Sequence, residues 1–178
     1  PYATMLLADM GAEVIKIESP GADGGDIMRW AGPSVEAAGP GMGPLFMLNN
    51  KNKRSVALDL KRPEDRKACL DLAATCDVVC SNMRMETAAK LGMDYETMAK
   101  VKPGLIYVHA SGFGSDGPYA GQPAYDDLIQ GVSGGADLLC RIDGNPAPRY
   151  LPTLAADKTV GLFMVQAALA AILHKERT

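Results

Sequence analysis

Apolar and polar positions along this chain switch repeatedly between a helical and a strand period. Tyr2 to Met10 repeats at helical spacing and ends at Gly11, a glycine suited to a helix C-terminus. Ala12 to Glu18, AEVIKIE, then reads as a strand. So do Arg54 to Leu60 (RSVALDL), Asp77 to Ser81 (DVVCS) and Leu105 to Ser111 (LIYVHAS). Helices are expected at Pro63 to Ala74, Glu86 to Leu91, Tyr95 to Val101 and Tyr125 to Ser133, with a long one from near Asp157. Pro63 suits a first turn, Pro103 stops the helix before it, and Gly134-Gly135 breaks another. Ser19 to Met47 is rich in Gly and Pro and reads as an irregular excursion.

Short apolar strands alternating with helices predict the α/β class: a Rossmann-like parallel sheet with helices on both faces. In such sheets ligands bind at the carboxyl ends of strands. ESPGADGGD, SNMR and GFGSDGP fall at those ends. We read residues 1–178 as a single α/β domain that is incomplete. The chain opens directly in helical periodicity, so a first strand is expected before Pro1 and the chain is taken as a piece of a longer polypeptide.

Composition narrows the partners. The 178 residues are 47% hydrophobic and carry a net charge of −3, which argues against nucleic acid. The cysteines, Cys69, Cys76, Cys80 and Cys140, have no CxxC spacing and only two histidines to help them. They read as buried apolar residues in a reducing, cytoplasmic setting, with no metal. The longest apolar stretch, Val160 to Leu173, has 14 residues, too few to span a bilayer, so no membrane partner is expected.

Asp157 is the leading candidate for chemistry. It stands where RYLPTLAA gives way to a long apolar helical run, at the positive end of a helix. There a carboxylate is kept ionised and aimed, as a nucleophile or simply as a helix cap. GFGSDG fits GxGxxG spacing, but Pro118 and a polar loop follow it rather than a helix. Ser111 lacks a nucleophile-elbow context. His109 lies in a strand pattern as a packed residue, and His174 near a helix C-terminus. The basic run KNKRS enters a strand and reads as a solvated loop or a binding patch, while Lys61, Arg84 and Lys90, near strand ends or helix starts, are candidates for a ligand's phosphates.

Four blocks in order carry a resemblance: PYATMLLADMGAEVIKIESPG, NKNKRSVALDLKRPEDR, SGFGSDGPYAGQPAYDDLIQGVSG and AADKTVGLFMVQAALAAILHKERT. Together they resemble the family III CoA-transferases, the superfamily of formyl-CoA transferase, the carnitine-related CoA-transferases and α-methylacyl-CoA racemase. The resemblance implies a Rossmann-like large domain, of which this chain would be the N-terminal portion. The first strand, small domain and C-terminal return would lie outside it. It also implies an interlaced homodimer. The substrates implied are coenzyme A thioesters and a carboxylic acid acceptor, with no tightly bound cofactor.

The resemblance places the family's catalytic aspartate at Asp157, forming first an aspartyl acyl anhydride and then an aspartyl-CoA thioester. A glycine loop outside this chain would assist. CoA contacts carry over to Leu58 and Lys61 of LDLK, to Asn82, Met83 and Arg84, and to Lys90. SNMRMET departs from the commoner ENFRPG, which alters that loop, and Ser19 replaces a basic residue used by some members. The racemases carry a catalytic histidine where AYDD has Tyr125. Tyrosine, with a pKa near 10, is a poor base at neutral pH, so transferase chemistry is preferred over racemase or isomerase chemistry. Tyr125 and Asp126 are expected to line the CoA cleft or to start and cap a helix. A non-catalytic CoA-binding or dimerisation fragment is the third reading.

Overall fold

The structure is a computed structural model, and it describes residues 1–21, 24–32 and 41–178. Part of the expected excursion, residues 22–23 and 33–40, lies outside the described residues. The first helix, α1 (Tyr2–Asp9), buries Ala3, Met5 and Ala8. Gly11, at φ +102°, donates its N–H to Ala8 O at 3.0 Å, and Ala12 N donates to Leu7 O at 3.0 Å. That pair of bonds closes the helix, and the left-handed φ explains the glycine.

The chain continues as β1 (Val14–Glu18), a short 3₁₀ turn (Ile27–Arg29), α2 (Pro44–Asn50) and β2 (Lys53–Ala57). Then come α3 (Pro63–Ala73), β3 (Val78–Ser81), α4 (Met85–Leu91), α5 (Tyr95–Val101) and β4 (Ile106–His109). After a long loop follow α6 (Asp126–Val132), α7 (Gly135–Asp143) and α8 (Ala155–Arg177). The strands form two parallel ladders. Val14 to Glu18 pair with Lys53 to Ala57, and Val78 to Ser81 with Ile106 to His109. The parallel α/β class holds, with the described strands in two pairs.

Differences from the sequence expectations have local causes. The second strand stops at Ala57, because Asp59 N is taken by the Asp65 carboxylate at 2.8 Å, which turns the chain away. Helix α2 begins inside the span read as irregular and runs past its end to Asn50. Pro44 opens it in the first turn, and the Asn49 and Asn50 amides donate back to Leu45 O and Phe46 O. Gly134, at φ +82°, does break α6, but the chain restarts at once as α7.

Helix α8 spans 23 residues and is long and apolar enough to cross a membrane by length and composition, which the 14-residue count did not anticipate. Helical backbone extends past that apolar stretch on both sides, from Ala155 to Arg177. The helix packs on α1, α6 and β4. Gly161 permits the closest approach: a Cβ there would meet Tyr2 Cδ1 at 2.8 Å.

A core of Cys69, Ala73, Met93, Met98 and Leu105 joins α3 to α4, α5 and the start of β4. Ile17, Leu58, Leu60, Met83 and Leu91 pack against it. Ile17, Leu58, Leu60 and Met83 lie at or just past the carboxyl ends of β1, β2 and β3, and Leu91 ends α4.

Candidate functional site

A cleft of about 390 Å³ opens at the carboxyl ends of β1 and β2. Ile17, Glu18 and Ser19 form one wall, Leu58 to Lys61 another, and Thr87, Lys90 and Leu91 of α4 the third. Leu58, Lys61 and Lys90, three residues proposed for CoA, are therefore brought together. Neither lysine is paired with a carboxylate among the described residues. Two unpaired ammonium groups over an apolar floor suit a ligand that is anionic at one end and apolar along its length.

Glu18 anchors the cleft's wall. Its carboxylate accepts from Arg29 Nε and Nη2, both at 2.7 Å, from Ser55 Oγ at 2.7 Å and from Asp26 N at 2.9 Å. The Arg29 bonds, opposed by burial, hold its pKa down at about 2. Arg29 in turn lies over the Phe46 ring at 3.7 Å, tying α2 to this corner.

Asn82, Met83 and Arg84 are not among the cleft's lining residues. Met83 packs on the core, its N–H donates to Ser81 Oγ at 3.2 Å, and Arg84 leads directly into α4. That hydroxyl turn closes the loop in which Gly and Pro of the commoner pattern are absent. The basic run KNKRS is spent on structure. Lys51 pairs with Asp9, Arg54 with Glu13, and Lys53 donates to Pro1 O, Asn49 O and Asn50 Oδ1. Burial, the largest influence, lowers the Lys53 pKa to about 8. His109 stacks on Tyr107 in β4, and burial lowers its pKa.

Asp157 is the third residue of α8, not its cap. Leu154 holds the cap position and makes no side-chain bond there. The Asp157 side chain is exposed, and its carboxylate has no hydrogen-bond partner among the described residues. It is thus free to meet a ligand. Its backbone N–H, one of the unpaired donors of a helix start, donates to Asp126 Oδ1 at 2.8 Å. Asp126, 31 residues earlier on α6, supplies the cap from another helix.

The electrostatics differ from the simple helix-end picture. Desolvation and then the Asp126 charge push the Asp157 pKa up, while Lys158 opposes them. Lys158 is fixed nearby, with Nζ on Asn49 Oδ1 at 2.8 Å and 4.4 Å from the centre of the Tyr2 ring. Tyr125 is 75% exposed just before α6, whereas Asp126 is buried with its carboxylate committed inside the chain.

Gln130 is the residue sequence reasoning missed. It is buried beside Asp126 and bonded to Asp126, Thr153 and Leu151. Its one local signal is the four-residue spacing from Asp126 on a helix, a spacing at which Gln and Asp side chains meet. Lys158 was likewise visible only as Asp157's neighbour.

Known proteins extend this picture. The chain is 40% identical over its whole length to a succinate-glutarate CoA-transferase of Agrobacterium fabrum, of which it covers 44%. It is 39% identical to an acetyl-CoA:oxalate CoA-transferase of Acetobacter aceti, again covering 44%. The crystal structure of a CaiB/BaiF family protein from Brucella suis superposes with TM-score 0.88 at 36% identity, over 99% of this chain and 46% of that one. The chain therefore spans just under half the length of these relatives. The family model for CoA-transferase family III matches residues 1–178, and the chain belongs to that family.

Proposed function

We propose that the protein containing this chain is an acyl-CoA:carboxylate CoA-transferase with Asp157 as its covalent nucleophile. One observation supports this most: within a chain of family III, an exposed and unbonded carboxylate stands in the first turn of α8. An Asp157 oxygen attacks the thioester carbonyl, the C–S bond breaks, and CoA thiolate leaves an aspartyl acyl anhydride. The thiolate then attacks the Asp157 carbonyl carbon, releasing the donor acid as carboxylate and forming an aspartyl-CoA thioester. The acceptor carboxylate displaces the thiolate to give a second anhydride. Thiolate attack on the acceptor's acyl carbon yields the new acyl-CoA and restores Asp157. Dividing one difficult exchange into four displacements is the gain of covalent catalysis.

The cleft of Leu58, Lys61 and Lys90 is the place for CoA, with the lysines toward its phosphates. Residues 1–178 serve as a single α/β portion of a larger domain, in a protein that acts as a homodimer. Tyr125 in place of a histidine supports transfer over α-proton exchange. Incubation of the full-length protein with acyl-CoA and hydroxylamine is expected to leave a hydroxamate on Asp157, detected by peptide mass spectrometry. An unlabelled Asp157 under turnover would refute the mechanism.

A further inference from the structure

We infer that Gln130 is a positioning residue for Asp157, acting through hydrogen bonds that tie α6 to the segment entering α8. The inference rests on Asp157 as the nucleophile. Gln130 is 7% exposed, and every polar atom of its amide is used. Oε1 accepts from Leu151 N at 2.8 Å, while Nε2 donates to Thr153 O at 3.2 Å and to Asp126 Oδ2 at 2.6 Å. Asp126 Oδ1 is left to take the Asp157 N–H. One amide thus fixes both the path of the chain into the helix and the carboxylate that holds the helix start.

Residues Tyr150 to Thr153 are exposed and carry Pro152, so this segment has little packing of its own to hold it. Without Gln130, the entry to α8 would be free to shift, and the Asp157 carboxylate with it. A misplacement of about 1 Å at a reacting group costs on the order of 100-fold in rate. The CoA cleft stands on β1, the residues after β2, and α4, and none of Gln130's side-chain partners, Asp126, Leu151 and Thr153, lines it. The loss should therefore fall on kcat and spare KM.

The test uses the full-length protein. Hydroxylamine labelling of Asp157 in the wild type comes first, and its absence overturns the nucleophile reading and this inference together. With label present, Gln130→Leu is expected to lower kcat at least 30-fold or so, with KM for acyl-CoA within about twofold. A kcat within about threefold of wild type, or a loss confined to KM, overturns the role of Gln130 and leaves that of Asp157 standing. If Gln130→Leu does not fold, a charge-conserving exchange decides. Gln130→Glu alone sets two carboxylates face to face. Adding Asp126→Asn lets the new amide donate to position 130 while its oxygen still accepts from Asp157, so that of the four bonds only the one to Thr153 O stays unmade. The double variant is expected to regain at least about tenfold in kcat over Gln130→Glu, and no recovery overturns the proposal.

Discussion

Asp126 on α6 accepts the backbone N–H of Asp157 on α8 at 2.8 Å, so a buried carboxylate caps a helix that is not its own. The arrangement has two opposed effects. It satisfies an open donor at the helix start, and it sets a second negative charge beside the exposed carboxylate of Asp157. That charge and desolvation raise the Asp157 pKa.

Asp126→Asn keeps an acceptor for the helix and removes the charge, but turns its amide N–H toward Gln130 Nε2, so the maximal rate should fall as well and the charge effect is read from the position of the pH limb. As the proposed nucleophile, Asp157 would attack only when ionised, so its raised pKa would set an acid limb in kcat/KM. Removing a charge that raises this pKa moves the limb to lower pH. A pH-rate profile of the variant should show that shift, and an upward shift would contradict the role given to Asp126. Asp126→Ala, which also removes the acceptor, should cost about 1–2 kcal/mol in urea unfolding.

The cleft lysines should behave differently. Lys61→Ala and Lys90→Ala each remove a charge from the cleft proposed for CoA and leave Asp157 in place. Each should raise KM for acyl-CoA about tenfold, or about 1.4 kcal/mol, with kcat within about twofold. The effect should shrink at high salt, since the cleft is open to screening. Arg84→Ala, outside the lining, should change KM less, and steady-state kinetics in varied salt would rank the three.

How far the sequence could reach is visible in particular residues. The sequence picked Lys61, Arg84 and Lys90 alike as basic residues near strand ends or helix starts; that only the two lysines share a cleft depends on tertiary packing, which no local pattern reports. The α5 bounds, Tyr95 to Val101, were legible from the helical pattern and from Pro103 beyond, and the structure adds the cap, Asp94 Oδ1 accepting from Thr97 N at 2.9 Å. Helix α2 was obscured because PLFMLNN is too short for a clear period amid so much Gly and Pro. Asp157 was legible as a helix-start residue, but its cap comes from 31 residues away, which no local pattern reports. Gln130 was hidden for the same reason, its backbone partners lying 21 and 23 residues further on.

Glu18 makes stability depend on acid. Its carboxyl pKa falls from the ordinary 4.5 to about 2, through Arg29 first and then Ser55 and Asp26 N. A depressed folded pKa stabilises fully above the unfolded value and is lost as pH falls through the folded one. The contribution, on the order of 3 kcal/mol, should therefore fade between pH 4.5 and about 2. Chemical denaturation across that window should give a steeper decline for wild type than for Glu18→Gln, and equal slopes would refute it.

Met93 links stability to the site. It follows Gly92, whose φ of +67° turns the chain so that Met93 N bonds Ala88 O at 2.8 Å and the side chain enters the core. It is 1% exposed, and its carbonyl accepts the Tyr107 hydroxyl at 2.8 Å. Met93→Ala should cost about 2–5 kcal/mol, the range for buried large-to-small changes, whereas Met93→Leu should cost less than about 1.5 kcal/mol. The same core supports Leu58 and Leu91, which line the cleft. Met93→Ala, assayed at a temperature where it remains folded, should therefore also weaken CoA binding in a calorimetric titration. Unchanged affinity would mean that the cleft's shape is set by its own loops and not by the core beneath them.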